Sequence, residues 1–256
     1  MIDGKELASM AISLGLNSYQ AEKDYLQHAF LASLYAVSSS EFIFKGGTAL
    51  QKAYALDRFS EDLDFTFSSH KEPSEIIEKA VAELGKFALC AISKKEQKPN
   101  SISAKLKVNG PLYQGNEISV QTIVLEISMR EEVLRKALAV RIVPPYLDLR
   151  PYVALCMDLN EMLAEKVRAI IARDKPRDVY DAWFMTKKNA KFDLGEINQK
   201  LGYYGKKFEF SEFKQAIARK ERIWKTELSK LMRNPPDFDE VSAGLLLSIK
   251  AQLGSA

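Results

Sequence analysis

Two aspartates one residue apart, Asp62 and Asp64, follow a Gly46-Gly47-Thr48 turn within one short stretch, FKGGTALQKAYALDRFSEDLDFTF. On a strand, side chains at i and i+2 share a face, so the two carboxylates would stand together. Crowded carboxylates are costly unless a cation lies between them, and Mg²⁺ shared with a substrate phosphate meets that need. A glycine pair opening a helix leaves backbone N–H groups aimed at phosphate oxygens. Each signal has a bland counterpart, a solvated acidic strand end for Asp-x-Asp and a tight strand-to-helix turn for Gly-Gly. Their closeness favours the chemical reading, because both could address one nucleotide. Ser60 could donate its hydroxyl to a phosphate oxygen or cap the turn, and the residues do not separate these uses.

A third carboxylate would complete such a site and help deprotonate an incoming hydroxyl. Glu126 is the candidate, in the otherwise apolar run TIVLEIS, where a charge calls for a partner. An edge-strand glutamate facing solvent is the equal alternative. Farther on, Lys166 lies mid-helix with Arg173 two turns later, and Arg177, Asp178 and Asp181 open the next helix. By themselves these would be interhelical salt bridges. Facing the carboxylates of the first half, the lysine could instead neutralise triphosphate charge.

The elements that must position these groups follow from periodicity. Helices are expected over 4–14 and 19–37, a short strand over 41–45, a helix over 48–56, a strand over 62–67, a helix over 73–89, and long strands over 101–108 and 118–129. Pro144, Pro145 and Pro151 interrupt any central strand or helix, which places a boundary at residue 150. Beyond it, Asp158 and Glu161 suggest a capping box before a helix with Leu163, Val167, Ile170 and Ile171 inward. Pro176 opens the next helix, and 212–232 and 239–253 read as further helices. The fold class is α+β, with a strand-containing half over residues 1–150 and a helical half over 151–256.

The 256 residues are 46% hydrophobic with a formal net charge of +3, which excludes a disordered chain and gives no strong sign of a polyanion partner. Residues 151–256 carry net +4 and residues 1–150 net −1, a weak basic bias in the second half. There Lys206-Lys207 beside Tyr203, Tyr204 and Phe208 permits an RNA contact, although helix packing with a solvated rim is the commoner use of such a mixture. Cys90 and Cys156 lack metal or disulfide spacing. No apolar run reaches the ~20 residues of a membrane span, and the charged N-terminus is unlike a signal peptide. A cytoplasmic protein without membrane contact is expected.

Asp-x-Asp also opens haloacid-dehalogenase phosphatases, but there it follows a buried apolar strand, and here it follows DRFSE. A metal-dependent glycosyltransferase needs a nucleotide-binding sheet ahead of the motif, and the preceding residues read mainly as helix. The order strand, Gly-Gly-Thr, helix, Asp-x-Asp strand and later acidic strand fits a nucleotidyltransferase.

In EKDYLQHAFLASL, FKGGTALQKAY, RFSEDLDF and LAEKVRAIIARDKPRDVYDAWF, the chain resembles the AbiEii and MenT-type nucleotidyltransferase toxins of the polymerase-β-like superfamily. The resemblance spans most of residues 20–185. It implies a polymerase-β-like domain of mixed sheet flanked by helices, a C-terminal helical domain, and an active site between them. It implies that Gly46, Gly47, Thr48 and Ser60 bind the triphosphate and that Asp62 and Asp64 hold Mg²⁺, with two ions expected and Mn²⁺ as a substitute. Lys166 and Asp178 match the family's lysine and late aspartate, implicated in nucleotide handling and activity, with Arg173, Arg177 and Asp181 as supports. The family's third carboxylate is commonly an aspartate, so Glu126 departs by one methylene. The implied activity is transfer of NMP from an NTP to a hydroxyl acceptor, tRNA or another RNA in the toxins, with a cognate antitoxin as partner. A catalytically weak partner-binding module and a small-molecule nucleotidyltransferase of the aminoglycoside type stay open.

Overall fold

The computed structural model describes residues 1–38 and 40–253. Helix α1 (Gly4–Leu14) and helix α2 (Ser18–Val37) each begin at a capping box, Asp3 with Glu6 and Asn17 with Gln20, which satisfies N–H groups that a helix start leaves over. Then come β1 (Phe42–Lys45), α3 (Gly46–Tyr54), β2 (Asp62–Phe67), α4 (Pro73–Gly85), β3 (Cys90–Lys98), β4 (Ser101–Val108), β5 (Gln121–Ser128), β6 (Leu138–Ile142) and β7 (Tyr152–Cys156). The helical remainder is α5 (Leu159–Ala172), α6 (Pro176–Lys187), α7 (Leu194–Gly202), α8 (Phe210–Ala218), α9 (Trp224–Leu228) and α10 (Phe238–Leu253).

The strands form one mixed sheet in the order β3-β4-β5-β2-β1-β7-β6. β2 runs antiparallel to β1 and parallel to β5, and β1 runs parallel to β7. One face of the sheet is core: Ile102, Ala104, Leu106, Ile123, Leu125, Leu63, Phe65 and Phe44 are all buried. α2 packs on β5, β7 and α4, and α4 also meets β3. Because side chains alternate along a strand, the opposite face carries the residues between these, the polar ones of β2, β4 and β5.

The chain divides into two compact units, residues 1–133 with 137–156, and residues 134–136 with 157–256. In the second, α5 packs on α6, α7 and α8, and α10 lies on α6 and α8. The segment Leu134–Lys136, between β5 and β6 in sequence, belongs to this helical unit because Glu161 accepts the Leu134 and Arg135 N–H groups at 3.0 Å. Buried Lys200 meets the same carboxylate at 2.7 Å. Glu161 is thus the hub of a buried polar cluster, and Asp158 caps α5 alone, through the Asn160 N–H; the expected reciprocal capping box is absent.

Three strands escaped the sequence reading. β3 is one, and β6 and β7 flank the prolines, so the sheet extends past residue 150 to Cys156. The helix expected over 212–232 is broken, α8 ending at Ala218 and α9 starting at Trp224, where the buried Lys220 ammonium donates to the carbonyls of Ala216 and Ile170 at 2.8 Å.

Candidate active site

The turn from β1 into α3 needs each glycine for a different reason. Gly46 has φ +75°, and a Cβ there would run into the Asp64 carboxylate. Gly47 is hemmed in by the Arg58 guanidinium and the Ser60 hydroxyl. The absent side chains therefore let backbone approach the carboxylate and the serine directly. No side chain caps the start of α3. Thr48 is buried and its hydroxyl donates to the Asp62 carbonyl, which ties the first turn of the helix to the start of β2.

Asp62 and Asp64 share the polar face of β2, both half-buried, while Leu63 and Phe65 lie on the core face. The parallel register sets Glu126 beside Asp64, so the three carboxylates emerge on one side of the sheet. β5 lies between β2 and β4, so Glu126 is on an interior strand and not on the edge considered from sequence. Its side chain is exposed and accepts the Ser103 hydroxyl at 2.8 Å. On the other side of Asp64, Lys45 is its antiparallel partner. Among the described residues no three acidic, histidine or cysteine side chains are gathered tightly enough to hold a metal ion as they stand. The donor set still fits Mg²⁺, which takes hard oxygen ligands and is usually bound by one or two carboxylates together with substrate phosphates.

Behind the turn lies a buried polar scaffold that the sequence reading passed over. Gln27 of α2, fully buried, donates its amide to the carbonyls of Ser60 at 3.1 Å and Glu61 at 2.8 Å. Gln51 of α3 accepts the Ser60 N–H at 3.2 Å. The peptide units just before Asp62 are thus held from two helices. α2 and α3 are themselves joined by Asp24 and Lys52, 2.8 Å apart and both buried. Burial opposes the charge on each: it lowers Lys52, whereas Lys52 and His28 keep Asp24 below the usual carboxylate range. The other Asp24 oxygen accepts the Tyr146 hydroxyl at 3.0 Å. His28, one turn on, lies 3.0 Å from the Tyr152 hydroxyl, and burial with the nearby Lys52 pushes it down to about 3. The signal available in sequence was the spacing of Asp24, Gln27 and His28, three polar groups on one stripe of the helix. Arg58, 2% exposed and packed against Gly47, was also missed.

In the helical unit, Asp178 and Asp181 are fully buried and grip the Lys166 ammonium at 2.9 and 2.7 Å. Arg173 lays its guanidinium across Asp178, with Nε at 2.7 Å and Nη2 at 2.9 Å. Burial would raise Asp178, but Lys166 and Arg173 outweigh it and hold the carboxyl well below its ordinary value. Arg177 is half-buried one residue before. Tyr204 packs under Arg168 and Phe208 against Phe192 and Phe213, while Lys206 pairs with Glu212, so those aromatic residues are engaged in packing.

A mixed sheet bearing carboxylates on neighbouring strands beside a Gly-Gly-Thr helix start has the form of a nucleotidyltransferase. Residues 29–243 match the family described as "Nucleotidyl transferase AbiEii toxin, Type IV TA system". The chain belongs to that family, the nucleotidyltransferase toxins of type IV toxin–antitoxin systems, and membership implies an NTP substrate and an antitoxin counterpart. Its fold is shared with JHP933 from Helicobacter pylori (17% identity, TM-score 0.62, 94% of each chain covered). It is also similar to a putative nucleotidyltransferase from H. pylori (18%, TM-score 0.63, 94% of this chain and 97% of that one). MenT4, a nucleotidyltransferase toxin of Mycobacterium tuberculosis, is a third (14%, TM-score 0.62, 100% and 91%). No curated protein matches the chain. No helix among the described residues is long and apolar enough to cross a membrane.

Proposed function

We propose that the protein transfers a nucleoside monophosphate from an NTP to a hydroxyl of an RNA acceptor, tRNA being the leading candidate. In this reaction the acceptor oxygen bonds to the α-phosphorus, the bond from that phosphorus to the bridging oxygen breaks, and pyrophosphate leaves. The observation that carries the reading is the shared face of Asp62, Asp64 and Glu126 beside a glycine turn that brings backbone against Asp64.

Asp62 and Asp64 would hold Mg²⁺, with Glu126 as third ligand. Such an ion, when bound, neutralises phosphate charge and helps polarise the phosphoryl group. The backbone at Gly46, Gly47 and Thr48, and the Ser60 hydroxyl, would bind the triphosphate, with the α3 dipole adding attraction. Glu126 would take the proton of the incoming hydroxyl. Lys166 is the nucleotide-handling lysine of this reading, with Asp178 and Asp181 fixing its ammonium; Asp178 acts through Lys166 and Arg173.

The test is incubation with each α-labelled NTP, Mg²⁺ and total tRNA. Label should enter RNA with the wild type and vanish with Asp62→Ala. Transfer that survives Asp62→Ala, or no transfer and no NTP binding by the wild type, would overturn the reading.

A further inference from the structure

The charge of the chain is concentrated where halves of the sequence conceal it. The β3–β4 hairpin, residues 90–108, carries five lysines and one glutamate, net +4, against +3 for the whole chain, so the remainder is net −1. Residues 151–256 reach the same net +4 only over 106 residues, so the hairpin is the far denser basic feature.

Register shows where these lysines point. Asp62 on β2 lies beside Val124 on β5, Val124 is opposite Lys105 on β4, and Lys105 is opposite Lys94 on β3. Paired residues of adjacent strands share a face, so Lys105 and Lys94 stand in the same cross-sheet row as Asp62, on its side. Lys107 follows one row over, opposite Thr122. At about 4.8 Å per strand, these side chains begin roughly 10 and 15 Å from the strand of the aspartates. Lys94, Lys105 and Lys107 are all exposed.

Two features argue against mere solubility. Lysine on an edge strand is a common guard against strand addition, which accounts for Lys94 on β3. It does not account for Lys105 and Lys107, because β4 is flanked by β3 and β5. Moreover, Lys94 directly opposite Lys105 is a like-charge cross-strand pair, which weakens a sheet. Lys94 meets Glu96 at 2.5 Å and Lys107 meets Glu117 at 3.8 Å. Both are solvent-screened surface pairs, easily exchanged for phosphate.

We propose that this face of the β3–β4 hairpin binds the sugar–phosphate backbone of the nucleic-acid acceptor, Lys94, Lys105 and Lys107 contacting its phosphates and leading the strand to the carboxylates. The inference rests on the RNA-acceptor reading above. An NTP held at the glycine turn is too compact to use lysines two and three strands away, whereas a strand carrying a charge every few ångströms spans that interval.

The experiment measures anisotropy of a fluorescein-labelled single-stranded oligoribonucleotide, and of labelled tRNA, across a salt series with the full chain. NTP binding is followed in parallel by calorimetry. The variants are K94Q/K105Q/K107Q, Lys105→Gln alone, and K206Q/K207Q for comparison. The triple variant should lose at least tenfold in RNA affinity, and its slope of log K against log salt should fall by about 2, near 0.7 per lost phosphate contact. NTP affinity should stay unchanged and K206Q/K207Q should bind as wild type. Lys105→Gln should show about a third of the slope change, which keeps the test decisive should the triple variant fold poorly. Unchanged RNA binding and slope in these variants, equal loss in K206Q/K207Q, or wild-type protein that binds NTP but no RNA would each overturn the proposal. The last result leaves nucleotidyl transfer intact with another acceptor, whereas lysine-dependent RNA binding without NTP binding would support the surface and sink the enzymatic reading.

Discussion

At the scale of single residues, the carboxylates were legible because their spacing alone fixes a shared face, and the strand carries them as expected. The glycines were legible as a turn, but not the reason each is needed, since the close approach of Asp64 to one and of Arg58 and Ser60 to the other is long-range. Asp64 has Asp62 two residues before it, Glu126 on one side and Lys45 on the other, so attraction and repulsion largely offset one another. Asp64→Asn should therefore change unfolding free energy by no more than about 1 kcal/mol. It should lower NMP transfer by at least about a thousandfold, equivalent to about 4 kcal/mol of transition-state stabilisation. Thermal melts in metal-free buffer and initial rates with labelled NTP would read the two effects. A large loss of stability with activity retained would make the residue structural.

At the scale of elements, α2 is the part of the fold most underestimated by sequence. Its apolar stripe marks it as scaffold, yet its polar stripe sets the peptides ahead of Asp62 through Gln27 and locks α3 through Asp24. The missed strands have their own physical reasons. β3 is a lysine-rich edge strand whose exposure removes the alternation that would reveal it, and β6 and β7 are five residues each, set on either side of prolines that read as a boundary. Such strands form because neighbours supply their hydrogen bonds, information that is absent locally. The ion pair between α2 and α3 yields a prediction at this scale. Lys52→Met leaves Asp24 buried without its strongest partner, and removing one member of a buried pair costs about 3–5 kcal/mol. Adding Asp24→Asn should restore a substantial part of that loss, because the stranded charge goes with it. Urea unfolding of the two variants and wild type would measure the coupling, and a loss under about 1 kcal/mol in Lys52→Met would mean that Asp24 relaxes to solvent.

For the whole molecule, the same buried cluster ties stability to pH through one of only two histidines. His28 faces Asp24 on its own helix, Lys52 from α3, and the hydroxyl-bearing rings of Tyr146 and Tyr152, while His70 is exposed. Burial, with Lys52 adding to it, lowers His28 from 6.5 to about 3 in the folded protein. Between these values the unfolded chain binds a proton at this position and the native chain does not, so stability rises with pH and is lost as pH falls. The slope from this group is about 1.4 kcal/mol per pH unit within that window. Asp24 and Asp178, both held below the usual carboxylate range, add losses of the same sign once pH drops below the ordinary aspartate value near 3.8. From pH 6.5 to about 4.5 the two aspartates are silent, and Glu22 and Glu196, both raised by burial, bind protons more readily in the native chain and so act in the opposite sense, which leaves His28 as the source of a fall in stability there. Urea midpoints across that interval should fall steeply for wild type and for His70→Gln, and His28→Gln should flatten the fall even though its absolute stability is lower. An equally steep slope in His28→Gln would place the proton uptake elsewhere.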